Sequence, residues 1–163
     1  MPASIAFRLS GGAGNTNPAA SLGGAMSSTA ASANTLFDTV TAGEASAGDT
    51  EFRCFYVFND GDQVLDSCRI WISDQPTQGT FSLALAGEGV NGTAETVANE
   101  NTAPVGESFS SPTTALTGLE CGPLNPGQFR PVWARRVIGA TTPGISLASN
   151  TAQFRADYEF VPT

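Results

Sequence analysis

Apolar and polar positions alternate along much of the chain at the two-residue period of extended strands. In TEFRCFYVF, residues 50–58, Phe52, Cys54, Tyr56 and Phe58 share one face, and Arg53, Phe55 and Val57 share the other. Both faces are largely apolar, which predicts a central strand covered on two sides. SCRIWIS (67–73) alternates Cys68, Ile70 and Ile72 against Arg69 and Trp71. TFSLALAG (80–87) sets Phe81, Leu83 and Leu85 against Ser82, Ala84 and Ala86, the pattern of a half-exposed strand. ALTGLECG (115–122) reads as a strand near a sheet edge, and FRPVWARRVI (129–138) as a strand that Pro131 assigns to an edge or a bulge. AQFRADYEFV (152–161) alternates Phe154, Ala156, Tyr158 and Phe160 against Arg155, Asp157 and Glu159, the clearest half-buried pattern in the sequence.

The N-terminal part differs. SIAFRLS (4–10) predicts a short strand. Residues 11–34 are almost wholly Gly, Ala, Ser, Thr and Asn, with Leu22 and Met26 as the larger apolar residues. Such a segment holds too little apolar surface to order itself, so it is expected to be flexible or ordered by a partner. Residues 35–49 carry Leu36, Phe37 and Val40 ahead of a Gly-rich turn and predict a strand or edge segment. Residues 87–115 predict a long irregular crossing. No 3.6-residue apolar period stands out. The expectation is an all-β fold, a β-sandwich of about seven or eight short strands (49–163) preceded by an extended arm (1–48).

Composition narrows the chemistry. The 163 residues contain seven arginines, no lysine and no histidine, against 15 acidic residues, for a net charge of −8. Without histidine there is no Ser-His-Asp triad, Cys-His pair or histidine-bearing zinc site. Without lysine there is no Schiff base and no P-loop. The expectation is no enzyme, no cofactor and no catalytic residue. An acidic, lysine-free surface repels phosphate, so neither nucleic acid nor an anionic membrane is an expected partner. No apolar run reaches membrane-spanning length, and the first residues lack the pattern of a secretory signal, so synthesis in the cytoplasm is expected.

The acidic stretch NDGDQVLDS (59–67) admits two readings. An EF-hand loop needs a different glycine register and a glutamate at its twelfth position, so that motif fails. Asp60, Asp62 and Asp66 remain as candidate ligands of a looser calcium site. The alternative is a connection between two buried strands, crossing from one sheet to the other, which sets Cys54 and Cys68 in different sheets. Three cysteines, Cys54, Cys68 and Cys121, form no disulfide framework and are expected to be buried and reduced, in preference to a Cys54–Cys68 bridge. Of Arg135 and Arg136, one points each way along a strand, and pairing with carboxylates is the expected role of such residues. Trp71 and Trp133 read as core residues. Asp157 and Glu159 lie too much like a solvated face to suggest catalysis. NGT at 91–93 reads as a turn.

Two resemblances extend this picture. FYVFNDGDQVLDSCRIWIS (55–73), followed by LNPGQFRPVWARRV (124–137), resembles the immunoglobulin-like modules of bacterial and phage proteins. Together with LGGAMSS, LFDTVTAGEASAGDTEFRCFYVFNDGD and TVANENTAPVGESFSSPT, the chain is similar to virion structural proteins of tailed bacteriophages. That resemblance implies a head decoration (cement) protein on the capsid exterior, with the major capsid protein as partner and a homotrimer as its form. The arm would clamp the shell through its main apolar residues, Phe7, Leu9, Leu22 and Phe37. The alternative it leaves open is a tail or baseplate accessory module that recognises a host glycan, with calcium as an optional ligand.

Overall fold

The two-sided apolar character of residues 50–58 is realised in the longest strand among the described residues, Asp49–Asn59. The computed structural model describes residues 3–76 and 79–140, and the backbone of 153–157. In chain order the elements are β1 (Ile5–Leu9), a 3-10 turn (Pro18–Ala20), helices α1 (Ala33–Leu36) and α2 (Ala42–Ala47), β2 (Asp49–Asn59), β3 (Leu65–Asp74), β4 (Thr80–Leu85), β5 (Leu119–Leu124), β6 (Phe129–Ile138) and β7 (Gln153–Asp157). They form a four-stranded sheet, β1-β2-β6-β4, and a three-stranded sheet, β5-β3-β7, with antiparallel pairing throughout. The protein is therefore mostly β and built on two sheets. β2 and β3, consecutive in sequence, lie in different sheets, as the crossing reading of residues 59–67 expects.

One apolar cluster lies between the sheets and draws on both. It joins Phe55 and Val57 of β2, Phe81 and Leu83 of β4, and Val132 and Ala134 of β6 to Cys68, Ile70 and Ile72 of β3 and Cys121 and Leu124 of β5. A second covers the outer face of the four-stranded sheet, where Phe52, Cys54, Ala84, Ala86 and Trp133 meet Ala94, Val97, Leu22 and Phe109. Ser82, Ala84 and Ala86 are thus buried, and β4 is covered on both faces rather than half-exposed.

That outer layer is built by the segments whose composition predicts least. Residues 11–34 are held by hydrogen bonds to the rest of the chain. The amides of Leu9 and Ala31 donate to the carbonyls of Thr29 and Phe7, and Ser27 donates to Leu9, so this strip runs along the free edge of β1. Cys54 donates to the Ser21 carbonyl at 2.7 Å, Gly24 to Ala94 at 2.9 Å and Val97 to Leu22 at 2.9 Å. Ser10 Oγ, fully buried, donates to the Cys54 carbonyl and accepts from the Gly23 amide. Small side chains let these backbones approach closely, and main-chain hydrogen bonds supply the order that apolar side chains do not. The expected anchors are internal as well. Leu9 and Phe37 are buried in the inter-sheet cluster, Phe7 packs against it half-buried, and Leu22 packs half-buried on the second cluster. Residues 35–49 also depart from expectation, forming α1 and α2 in place of a strand. The Thr41 hydroxyl accepts from the Glu44 amide while Glu44 Oε2 accepts from the Thr41 amide, a capping box that starts α2.

Pro131 sits in β6, which runs between β2 and β4 and is not an edge strand. Its carbonyl accepts from the Ala86 amide, just past the last β4–β6 pair, Leu85↔Val132. The missing N–H therefore faces the β4 side where the ladder has ended, and no bond to β2 is lost.

Asn59 ends β2 fully buried and ties three pieces of chain together. Its Nδ2 donates to the carbonyls of Gln63 and Leu124, each at 2.8 Å, and its Oδ1 accepts from the Gly61 amide at 3.0 Å. Its backbone accepts from Gly127 and donates to Gln128. The 125–128 turn is type II, with Pro126 ahead of Gly127 at φ 80° and Gln128 N–H bonded to Asn125 O. Asn59→Ala leaves the two carbonyls without this donor and is expected to lower stability by about 2–3 kcal/mol, read from urea unfolding. A loss below about 0.5 kcal/mol would show that the side chain is dispensable.

Candidate functional site

The acidic candidates from the sequence are not the residues that converge. Asp60, Asp62 and Asp66 are exposed around the Asn59 turn. Among the described residues, the carboxylates that bring oxygens within 4.8 Å of one another are Asp38, Glu51 and Glu100.

Strand geometry explains half of this group. Glu51 and Arg53 are two apart on β2 and share the face that carries Phe55 and Val57. β6 sets Arg136 directly opposite Glu51. Arg135 points the other way, donating to Ser82 Oγ at 3.0 Å with its guanidinium 4.7 Å from the Phe109 ring centre. One arginine of the pair thus faces each way, and the inward one pairs with carboxylates. Asp38 arrives from the turn after α1. Glu100 arrives from the long crossing, held at the β2 edge by Phe52 N–H donating to its carbonyl at 2.7 Å.

The bonds form a chain. Arg136 Nε donates to Glu51 Oε2 at 2.6 Å, and its Nη2 also meets that oxygen. Arg136 Nη1 donates to the Asp38 carbonyl at 2.6 Å and Nη2 to Asp38 Oδ1 at 3.3 Å. Arg53 Nη2 donates to Glu100 Oε2 at 2.5 Å. Both guanidiniums stack on Phe37, 4.9 Å away for Arg136 and 5.4 Å for Arg53, and Phe37 meets Phe81 edge-on. Arg53, Arg136 and Glu51 are all buried, whereas Asp38 is exposed.

Three carboxylates face two guanidiniums, so one negative charge is unmatched. Glu51 and Asp38 share Arg136, and Glu51 Oε1 is buried without a hydrogen-bond partner. Burial pushes Glu51 up to about 7, against the opposing pull of Arg136 and with a small further push from the charge of Asp38. The cluster can hold a proton near neutrality. It also clamps the 37–38 segment and the Glu100 loop onto β2 and β6. The positions where a cation would balance the carboxylates are taken by the two guanidiniums, so this donor set reads as an ion-pair clamp and not as a metal centre.

Glu51 binds its proton more tightly in the folded state, at about 7, than at the ordinary glutamate value of 4.5. Its contribution to stability is fully present below pH 4.5 and is lost as pH rises through 7. Between those limits the loss approaches roughly 3 kcal/mol as an upper bound. Glu51→Gln, which mimics the protonated form, removes this dependence. The stability difference between variant and wild type should move in the variant's favour from pH 5 to pH 8, and a constant difference would refute the shift.

On the opposite face of β2, Tyr56 plays a similar structural part. Its hydroxyl donates to the Gly24 carbonyl at 2.6 Å and accepts from the Ala94 amide at 3.1 Å, joining both outer segments to the sheet. Burial pushes this phenol up to about 12. Trp133 is buried in the outer cluster, in line with its expected core role, and Trp71 is half-buried on β3. The NGT stretch is a turn: Asn91, at φ 59°, exchanges backbone and side-chain hydrogen bonds with Phe129. Asp157 lies opposite Arg69 in the β3–β7 ladder, and Glu159 lies outside the described residues. No described helix is long and apolar enough to cross a membrane. No protein-family model matches the chain, and neither a curated protein nor a solved structure matches it.

Proposed function

We propose that this chain is a structural, non-catalytic component of a virus particle: a decoration protein on the head shell of a tailed bacteriophage, with an immunoglobulin-like sandwich. The observation that supports a structural role is where the reactive side chains lie. Glu51, Arg53, Cys54, Tyr56, Cys68, Cys121, Trp133 and Arg136 are buried. The charged ones serve to fasten loops to strands. The two long polar segments likewise form a fixed layer over the four-stranded sheet. The assignment to a phage head rests on the sequence resemblance.

The four expected arm anchors belong to the fold, so in this reading the shell is met by the outside of the assembled domain. The partner is the major capsid protein, and the chain acts as a homotrimer. The alternative calcium-dependent glycan module gains nothing from the geometry, since Asp60, Asp62 and Asp66 do not converge. Electron cryomicroscopy of particles from the source of this chain tests the proposal. Density for the two-sheet fold at regular positions on the outer head surface is the expected result. Density confined to the tail, or particles that lack the chain by mass spectrometry, would overturn it.

A further inference from the structure

The three cysteines divide unequally between the two clusters. Cys54 lies on the outer face of the four-stranded sheet, beside Trp133 and Ala84. Cys68 and Cys121 lie together between the sheets, on the adjacent strands β3 and β5, and both are fully buried. In the ladder Cys68 faces Gly122, one residue from Cys121. The register shifts on either side of Cys68 bring the two thiols to the same inner face. Cys121 Sγ makes its hydrogen bond to the Leu119 carbonyl, at 3.9 Å, and leaves the Cys68 thiol as its neighbour in the cluster. The pairing weighed from the sequence, Cys54 with Cys68, joins residues on opposite sides of the four-stranded sheet. The structure selects a different pair.

We propose that Cys68 and Cys121 are a disulfide site, reduced during synthesis in a reducing compartment and bridged when the protein meets a disulfide oxidant such as oxidised glutathione. The step balances without any other reagent. One cysteine thiolate attacks the glutathione disulfide and releases one glutathione thiol. The second cysteine then attacks the mixed disulfide and releases the other. Two protein thiols become one S–S bond, and their two hydrogens leave on two glutathione molecules.

The location sets both rate and effect. The neighbouring Cys68 thiol and burial together hold the Cys121 thiol well above its usual range, so little thiolate forms while β5 stays docked. β5 is an edge strand paired to β3 alone among the described residues. It carries Pro123 and a left-handed Gly122 at φ 89°, features that weaken a ladder and favour local opening. Once made, the bridge closes the whole segment from β3 through β4 and the long crossing to β5. A loop of that length gives a large restriction of the unfolded chain.

The test starts from reduced, unfolded chain, refolded to equilibrium in a glutathione redox buffer, so that burial of the thiols does not limit the outcome. Cleavage at acidic residues separates Cys54 from Cys68, because Asp60, Asp62 and Asp66 lie between them. The expected result is a linked peptide containing Cys68 and Cys121, with Cys54 still free to alkylation. The bridged protein should melt about 10 °C above the same protein reduced with dithiothreitol. Cys54→Ser should yield the same linked peptide and the same gap in melting temperature between bridged and reduced forms. A linkage through Cys54, no linked peptide at equilibrium, or a melting temperature no higher than that of the reduced chain overturns the proposal. These readouts use purified protein alone and are independent of whether the chain decorates a phage head.

Discussion

Arg136→Ala is expected to lower the unfolding free energy by roughly 3–5 kcal/mol at pH 7, the range for breaking a buried ion pair by removing one partner. Arg136 is the hub of the clamp, since it bonds Glu51, the Asp38 side chain and the Asp38 carbonyl while stacking on Phe37. Without it Glu51 loses its strongest opposing charge and holds its proton to still higher pH, which limits the loss. The 37–38 segment also loses the donors that fix it. Arg136→Lys keeps the charge without the planar fork and should fall between wild type and alanine. Urea unfolding at pH 5 and pH 8 separates the components, because the electrostatic share grows with pH and the lost stacking does not. A loss below about 1 kcal/mol at both pH values would show that the cluster is not a clamp.

Gly23→Ala should be nearly as damaging, at roughly 3 kcal/mol, although it adds one methyl group at an apparently featureless position. Gly23 adopts φ 96°, where a side chain is strained. A Cβ built there overlaps the carbonyl oxygen of Glu95. Relief requires the 22–24 strip to part from 94–97, which breaks the bonds between Gly24 and Ala94 and between Val97 and Leu22. That uncovers the cluster around Cys54 and Trp133. Gly12 is the control: it also has positive φ, but its Cβ would meet nothing within 4 Å. Gly12→Ala should therefore show backbone strain alone, about 1 kcal/mol. Equal losses for the two variants, measured by urea unfolding, would mean that the outer layer does not depend on this close approach.

The contrast between those glycines shows where the sequence was readable. β2 was legible because Phe52, Cys54, Tyr56 and Phe58 alternate with Phe55 and Val57. Burial on both faces leaves that mark in residue type. The sheet-to-sheet crossing after Asn59 followed from two strongly apolar strands joined by too long a turn. The 11–34 segment was not legible, because its order comes from main-chain hydrogen bonds between small residues, and these leave no apolar signature. A Thr-x-x-Glu spacing at 41–44 did announce the start of α2, in a stretch otherwise read as strand. The clamp was half-visible. Of the Arg135-Arg136 pair one arginine had to face inward and meet carboxylates, as Arg136 does with Glu51 and Asp38. Asp38 is 98 positions from Arg136 and Glu100 is 47 from Arg53, and no local pattern links them.

The strip of residues 27–31 lies hydrogen-bonded along β1, and Ser110 exchanges both backbone bonds with Leu83 of β4. At these places the four-stranded sheet has no vacant ladder to offer a neighbouring molecule, and strand-by-strand templating of a fibril cannot begin there. In a concentrated preparation, edge-to-edge growth through this sheet is blocked wherever those strips lie.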